Sequence, residues 1–164
     1  KPLLQSIAGL TKKIRAFDKN IDALAKKRYP VTAVLTKVPG VGNLTALAFV
    51  LTLEDPARFS NSRLVGSYVG LCPRKDESGA SSPELRITKG GDGYLRRLLV
   101  GSAQYTLGPF APDTDLRRWG LALARRGNKN AKKRAVVAVA RKLAVLLHRL
   151  WVTQQDYIPL RAGA

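Results

Sequence analysis

The chain has 164 residues, 45% of them apolar, which is enough for one domain with its own core and too apolar for wholesale disorder. Its 29 Lys+Arg against 11 Asp+Glu give a formal net charge of +18, far beyond what solubility needs, so a polyanionic partner is expected, nucleic acid first. A membrane-spanning run, an intrachain disulfide and a Cys/His zinc site are excluded: no apolar stretch approaches ~18 residues, and Cys72 and His148 are each single.

The first element reads as a helix. Leu3, Ile7, Leu10, Ile14, Phe17, Ile21 and Leu24 alternate steps of four and three, a heptad seam set among charged residues. A coiled-coil arm over residues 1–29, giving a homo-oligomer, is the sharper reading; an amphipathic helix packed on its own domain is the plainer one. Tyr29-Pro30 ends it. A second helix follows from Pro30, with Val31, Val34, Leu35 and Val38 inward, and stops at "PGVG", Pro39–Gly42. A third carries Leu44, Leu47, Val50 and Leu51 on its inner face. "LEDPARFSN" is a loop, and a helix over about 60–70 buries Leu64, Val65, Tyr68 and Val69.

The segment from Cys72 to about Thr88 is a loop with room for one hairpin. A helix over about 92–107 turns Leu95, Leu98 and Leu99 to the core. Asp113 or Thr114 caps the next, which carries Leu116, Trp119 and Leu123 and stops at Gly127-Asn128. The last helix, about 131–152, carries Val136, Val139, Leu143, Leu146, Leu147 and Leu150 inward. The tail 153–164 is expected to fray. No strand series is present, so the fold class is all-α: a helical domain over 30–152 behind a coiled-coil-like helix. Trp119, Trp151 and Tyr94 read as core, Cys72 as a small buried residue, and His148 as a helix-end residue without a catalytic role. There is no methionine and no visible signal peptide, so we expect a piece of a longer, cytoplasmic protein.

Three stretches can carry chemistry. "VLTKVPGVGNLTALAFVLTL" has the pattern of a helix-hairpin-helix. Gly40 and Gly42 permit a tight turn into a helix N-terminus, whose free N–H groups favour a phosphate. "RKDESGASSPELRITKGGDGYLRRLL" sets Ser78, Ser81 and Ser82 in a loop among Arg74, Lys75, Arg86, Lys89, Arg96 and Arg97. Those cations suit a phosphate, yet no histidine stands by as base, so a solvated turn and a nucleophile both remain open. "LARRGNKNAKKRAVVAVARK" gathers Arg125, Arg126, Lys129, Lys132, Lys133 and Arg134, a run that repels itself unless a polyanion meets it.

"GLCPRKDESGASS…RITKGGDGYLRRLL", preceded by "VPGVG" and "RFSNSRLVGSYVGL", resembles the C-terminal domain of a family of insertion-sequence transposases that includes the Piv-type DNA invertases and bridge-RNA-guided recombinases. The likeness covers about Val34 to Leu150. The family's Gly-Leu-x-Pro-Arg falls on Gly70, Leu71, Pro73 and Arg74, its Ser-Gly on Ser78 and Gly79, and its Ser/Thr-Lys-Gly with Leu-Arg-x-x-Leu on Thr88, Lys89, Gly90, Leu95, Arg96 and Leu99. The resemblance implies that Ser78 attacks a DNA phosphodiester and is joined covalently to the strand, with Ser81 and Ser82 as neighbouring alternatives. It also implies an N-terminal domain related to Holliday-junction resolvases, whose four acids bind Mg²⁺, and in some members a guide RNA. The acids of this chain are scattered, so no metal site or cofactor is expected within it, and alone it should bind nucleic acid but cleave poorly. The rival reading is a non-catalytic helix-hairpin-helix DNA-binding module. A helix-hairpin-helix glycosylase fits less well, since its lysine and aspartate after the hairpin have no counterpart.

Overall fold

The computed structural model describes residues 1–74, 85–127 and 130–160. Among them the chain is all-helical, as expected. α1 (Pro2–Arg28) is about 40 Å long at ~1.5 Å per residue. Its seam is uncovered: Leu3, Ile7, Leu10, Ile14 and Phe17 are 59–79% exposed. Only the last turns dock, through buried Ala25, half-buried Ile21 and a 2.6 Å bond from the Asn43 side-chain amide to Asp22 Oδ1. The plainer sequence reading, a helix packed along its own domain, therefore holds only for this end.

The expected second helix is shorter than its pattern. α2 (Thr32–Leu35) is a single turn, flanked by further turns and closed by Pro39. Its inward set is as read: Leu35 and Val38 are buried, Val31 and Val34 half-buried. α3 (Asn43–Leu53) corrects the expected inner face, because Leu44 and Leu51 are exposed while Thr45, Ala46, Phe49 and Leu53 join Leu47 and Val50 inside. The cause is a helix apolar all round, whose period cannot fix which side turns inward. A 3₁₀ turn (Pro56–Arg58) leads to α4 (Arg63–Tyr68), where Val65 and Val69 are buried and Leu64, expected inside, is exposed.

α5 (Gly93–Leu107) starts at Asp92, whose carboxylate accepts from the Leu95 N–H, and buries Leu95 and Leu99. α6 (Asp115–Arg125) is capped by Thr114, which accepts from the Arg117 N–H at 3.1 Å. Asp113, the other candidate cap, instead takes the Arg118 guanidinium, which holds its carboxyl below the usual carboxylate range. α7 (Ala131–Thr153) is the axle of the domain: α2, α4, α5, α6 and the 3₁₀ turn all pack on it. Gly120 of α6 lets it approach, since a Cβ there would lie 2.5 Å from Val139 Cγ2.

Trp119 and Trp151 are half-buried against the core, as read, but Tyr94 is exposed beneath Arg97. The described part of the tail is tied down rather than frayed. Tyr157 packs on the core, Asp156 pairs with Lys37, and the Pro159 carbonyl accepts from the Asp115 N–H at 2.8 Å. No helix among the described residues is long and apolar enough to cross a membrane.

His148 is buried and accounts for both ring nitrogens. Nε2 lies 3.0 Å from the Pro56 carbonyl, to which it can only donate, so Nδ1 accepts from the Ser62 hydroxyl at 2.9 Å. It stitches the loop before α4 to α7. Replacing His148 with Phe leaves those two partners unpaired and should cost about 2 kcal/mol, read from the midpoint of chemical denaturation.

Candidate nucleic-acid interface and serine segment

α4 ends at Tyr68 with Val69 as its cap, and Gly70, at φ +69°, reverses the chain. Residues 72–74 then run antiparallel to 86–88. The Arg74 N–H donates to the Arg86 carbonyl and the Thr88 N–H to the Cys72 carbonyl, both at 2.9 Å, and Pro73 and Ile87 form the single described bridge. These are two short paired limbs, and the segment between them, where a hairpin was allowed for, lies outside the described residues. Lys89 and Gly91 carry positive φ in the turn that feeds α5.

The two turns interlock backbone to backbone. A Cβ on Gly70 would lie 2.2 Å from the Gly90 carbonyl oxygen, and one on Gly91 1.9 Å from that of Tyr68. Neither distance is physically available, so only glycine fits either place. Arg96 then reaches back from α5 and donates to the Val69 carbonyl at 3.0 Å and the Gly90 carbonyl at 2.7 Å. The separate motifs read from the sequence are thus parts of one clamp. The clamp holds the two ends of the 75–84 segment together. Ser78, Lys75, Ser81 and Ser82 lie in that segment, outside the described residues.

Arg96, one of the residues expected to meet phosphate, donates through Nη1 to both backbone carbonyls. Arg74, Arg86 and Lys89 are exposed around the paired limbs. The sequence reading passed over one further exposed cation. Arg141 of α7 lies across Gly66, where a Cβ would stand 2.9 Å from its Cγ. The next residue, Ser67, places Oγ 3.0 Å from Cys72 Sγ at the start of the first limb. The available signal was the seven-residue step from Arg134 to Arg141, which repeats a helix face.

Gly40 and Gly42 part company. Gly40, at φ +88°, packs where a Cβ would meet the Ser102 carbonyl and the Tyr105 ring, both at 3.0 Å, so it serves the turn itself. Gly42 has ordinary extended backbone and open space, and it caps α3 through its carbonyl. Between α3 and α5 lies an open groove of about 570 Å³ lined by Gly42, Thr45, Arg97, Gly101, Ser102 and Tyr105. The first limb of the expected helix-hairpin-helix is only the one-turn α2. Arg125, Arg126, Lys132, Lys133 and Arg134 are exposed where α6 gives way to α7; Lys129 lies outside the described residues. Among the described residues no three His, Cys, Asp or Glu side chains gather where a metal could sit.

Fold and surface together define a basic, all-helical domain with a clamped pair of short limbs. Residues 32–115 match the model of the transposase IS116/IS110/IS902 family, and the chain belongs to that family. It is 35% identical over 149 residues to the transposase for insertion sequence element IS1111A of Coxiella burnetii, covering 90% of this chain and 39% of that protein. A probable family 20 transposase of Pseudomonas aeruginosa is 29% identical over 160 residues, covering 97% of this chain and 46% of that one. The pilin gene-inverting protein of Moraxella lacunata is 26% identical over 115 residues, covering 70% and 34% respectively. The chain thus spans less than half the length of these relatives.

Gly91→Ala should destabilise the domain by roughly 3 kcal/mol or more in denaturant titration, the cost of forcing a Cβ against backbone at a left-handed residue. Arg96→Gln should spare the global fold but speed amide hydrogen exchange at Arg74, Thr88 and Lys89.

Proposed function

We propose that this chain is the DNA-binding, nucleophile-bearing part of a transposase. In this reading Ser78 attacks a DNA phosphodiester. The Ser78 oxygen bonds to phosphorus as one bridging P–O bond breaks, and the hydroxyl proton ends on the departing sugar oxygen. One strand end stays esterified to the serine and the other leaves as a free hydroxyl. The observation that carries the reading is the clamp: glycine-only contacts and Arg96 hold both ends of the Ser78 segment beside exposed Arg74, Arg86 and Lys89. Cations placed there would meet the charge developing on the phosphoryl oxygens. Mg²⁺ is assigned to a resolvase-like domain outside this chain, where it would supply electrostatic activation. The scattered acids described here do not fit it. The clearest test uses the full-length transposase with a DNA end substrate. Wild type should yield a covalent protein–DNA adduct and Ser78→Ala none, whereas an adduct that persists removes Ser78 as the nucleophile.

The groove at Gly42 and Arg97 supports a second contact with DNA backbone, the part of the function that the non-catalytic module shares. Asp22 already bonds Asn43 at that helix end, so the cation of Arg97 carries the larger share. A guide RNA, which the family resemblance brings, would be held by the same phosphate chemistry.

We also propose that α1 pairs with a second copy through its uncovered heptad seam. Substituting Ile7 and Ile14 with Lys puts charge into that seam. The pair should shift the wild-type oligomer to monomer in analytical ultracentrifugation while the thermal melting of the 30–160 body stays put.

A further inference from the structure

The outer face of α7 is a second, longer line of positive charge. The helix holds six Lys or Arg and no Asp or Glu. Arg134, Arg141 and Arg149 fall on one side of it, seven and eight residues apart, which at ~1.5 Å per residue sets them about 10–12 Å from each other. All three are exposed, and only Ala138 and Val145 lie between them on that side. α4 runs beside this line in the opposite direction, since Ser62 meets His148 and Gly66 lies under Arg141. It adds exposed Arg63. The nearby acids are turned elsewhere: Glu54 pairs with Arg58, and Asp55 caps the Ala57 N–H. At Arg141 the line reaches Gly66 and Ser67, and Ser67 touches Cys72 at the start of the first paired limb.

We propose that Arg63, Arg141 and Arg149 form a rail for the phosphate backbone of a nucleic-acid duplex, laid along α7 so that it passes the paired residues 72–74 and 86–88. The residues choose the ligand. A rigid helix bearing cations at long, regular steps meets a stiff row of phosphates. The side of the rail between the arginines offers small aliphatic groups and no aromatic platform, which a single strand would need for its bases. Contact with a row of phosphates carries no base information, so binding is sequence-independent. The proposal rests on the nucleic-acid reading above and extends it away from the loop and groove already described.

The test measures binding of the whole chain to 20-base-pair DNA and RNA duplexes of two unrelated sequences, and to the matching single strands, across a salt series. The triple variant R63Q/R141Q/R149Q keeps the aliphatic stems, including the one over Gly66, and removes three charges. Its log affinity against log salt should be shallower by roughly 2–3 than wild type, with binding about 10–100-fold weaker near 0.1 M salt, in both sequences alike. The Lys triple at the same positions should restore the slope, and an unchanged melting temperature shows that the fold is intact. Whichever duplex loses slope names the backbone, DNA or RNA. An unchanged slope in a wild type that binds well overturns the rail alone. A loss confined to single strands overturns the duplex assignment. A wild type that binds no nucleic acid overturns the rail together with the function it rests on.

Discussion

The backbone contact between the Gly70 turn and the Gly90–Gly91 turn governs how this molecule presents its loop. Two peptide segments about twenty residues apart in sequence meet where no Cβ can stand. Two interlocked turns fix direction as well as position, because each reverses the chain on a left-handed residue. The segment between them must therefore leave and return at one place. Arg96 adds a charge-assisted bond to each side of the contact, so the α5 helix becomes the brace of the loop's foot. Capping by Asp92 sets the start of that brace, one residue after the second glycine.

The rest of the fold carries the foot. α7 is buried along one side by Val139, Ala140, Leu143, Ala144 and Leu147, and the other helices arrange themselves around it. Small residues decide the spacing: Gly66 accepts the Arg141 stem and Gly120 accepts Val139 and Leu107. An arginine stem that packs while its head stays in water lets a single helix serve core and surface at once. The apolar side of α7 holds the domain together, and its basic side faces outward.

The sequence was most legible where period and punctuation agreed. The helix that carries the heptad pattern, the Thr114 cap and the Pro39 stop all appear where local chemistry asks for them. It was least legible where composition was uniform. α3 is apolar on every side, so Leu44 and Leu51 could not be told from Phe49 and Leu53 by pattern. The motif glycines were visible as letters, but their purpose was not, since it lies in a contact between turns distant in the chain. For the same reason the backbone bonds of Arg96 and the packing of Arg141 over Gly66 were not visible in the sequence. Local pattern reports propensity and burial; which cation faces a carbonyl and which faces water is set by tertiary packing.

The attack proposed for Ser78 needs a base, and the described residues offer no free histidine for it. His148, the only histidine, is buried with both nitrogens engaged. Asp92 is spent on a helix cap, and Asp113 is held by Arg118. On the proposed reading, activation would come from Asp76 or Glu77 in the same segment, or from a domain brought up to it. The geometry favours the second on chemical grounds. Exposed Arg74, Arg86 and Lys89 around the foot would pair with nearby carboxylates and lower their basicity, whereas the same cations assist an incoming phosphate. A domain that arrives with the phosphate brings its base to a site already shielded of negative charge. On the proposed reading, phosphate contact falls to this chain and proton removal to the domain it meets.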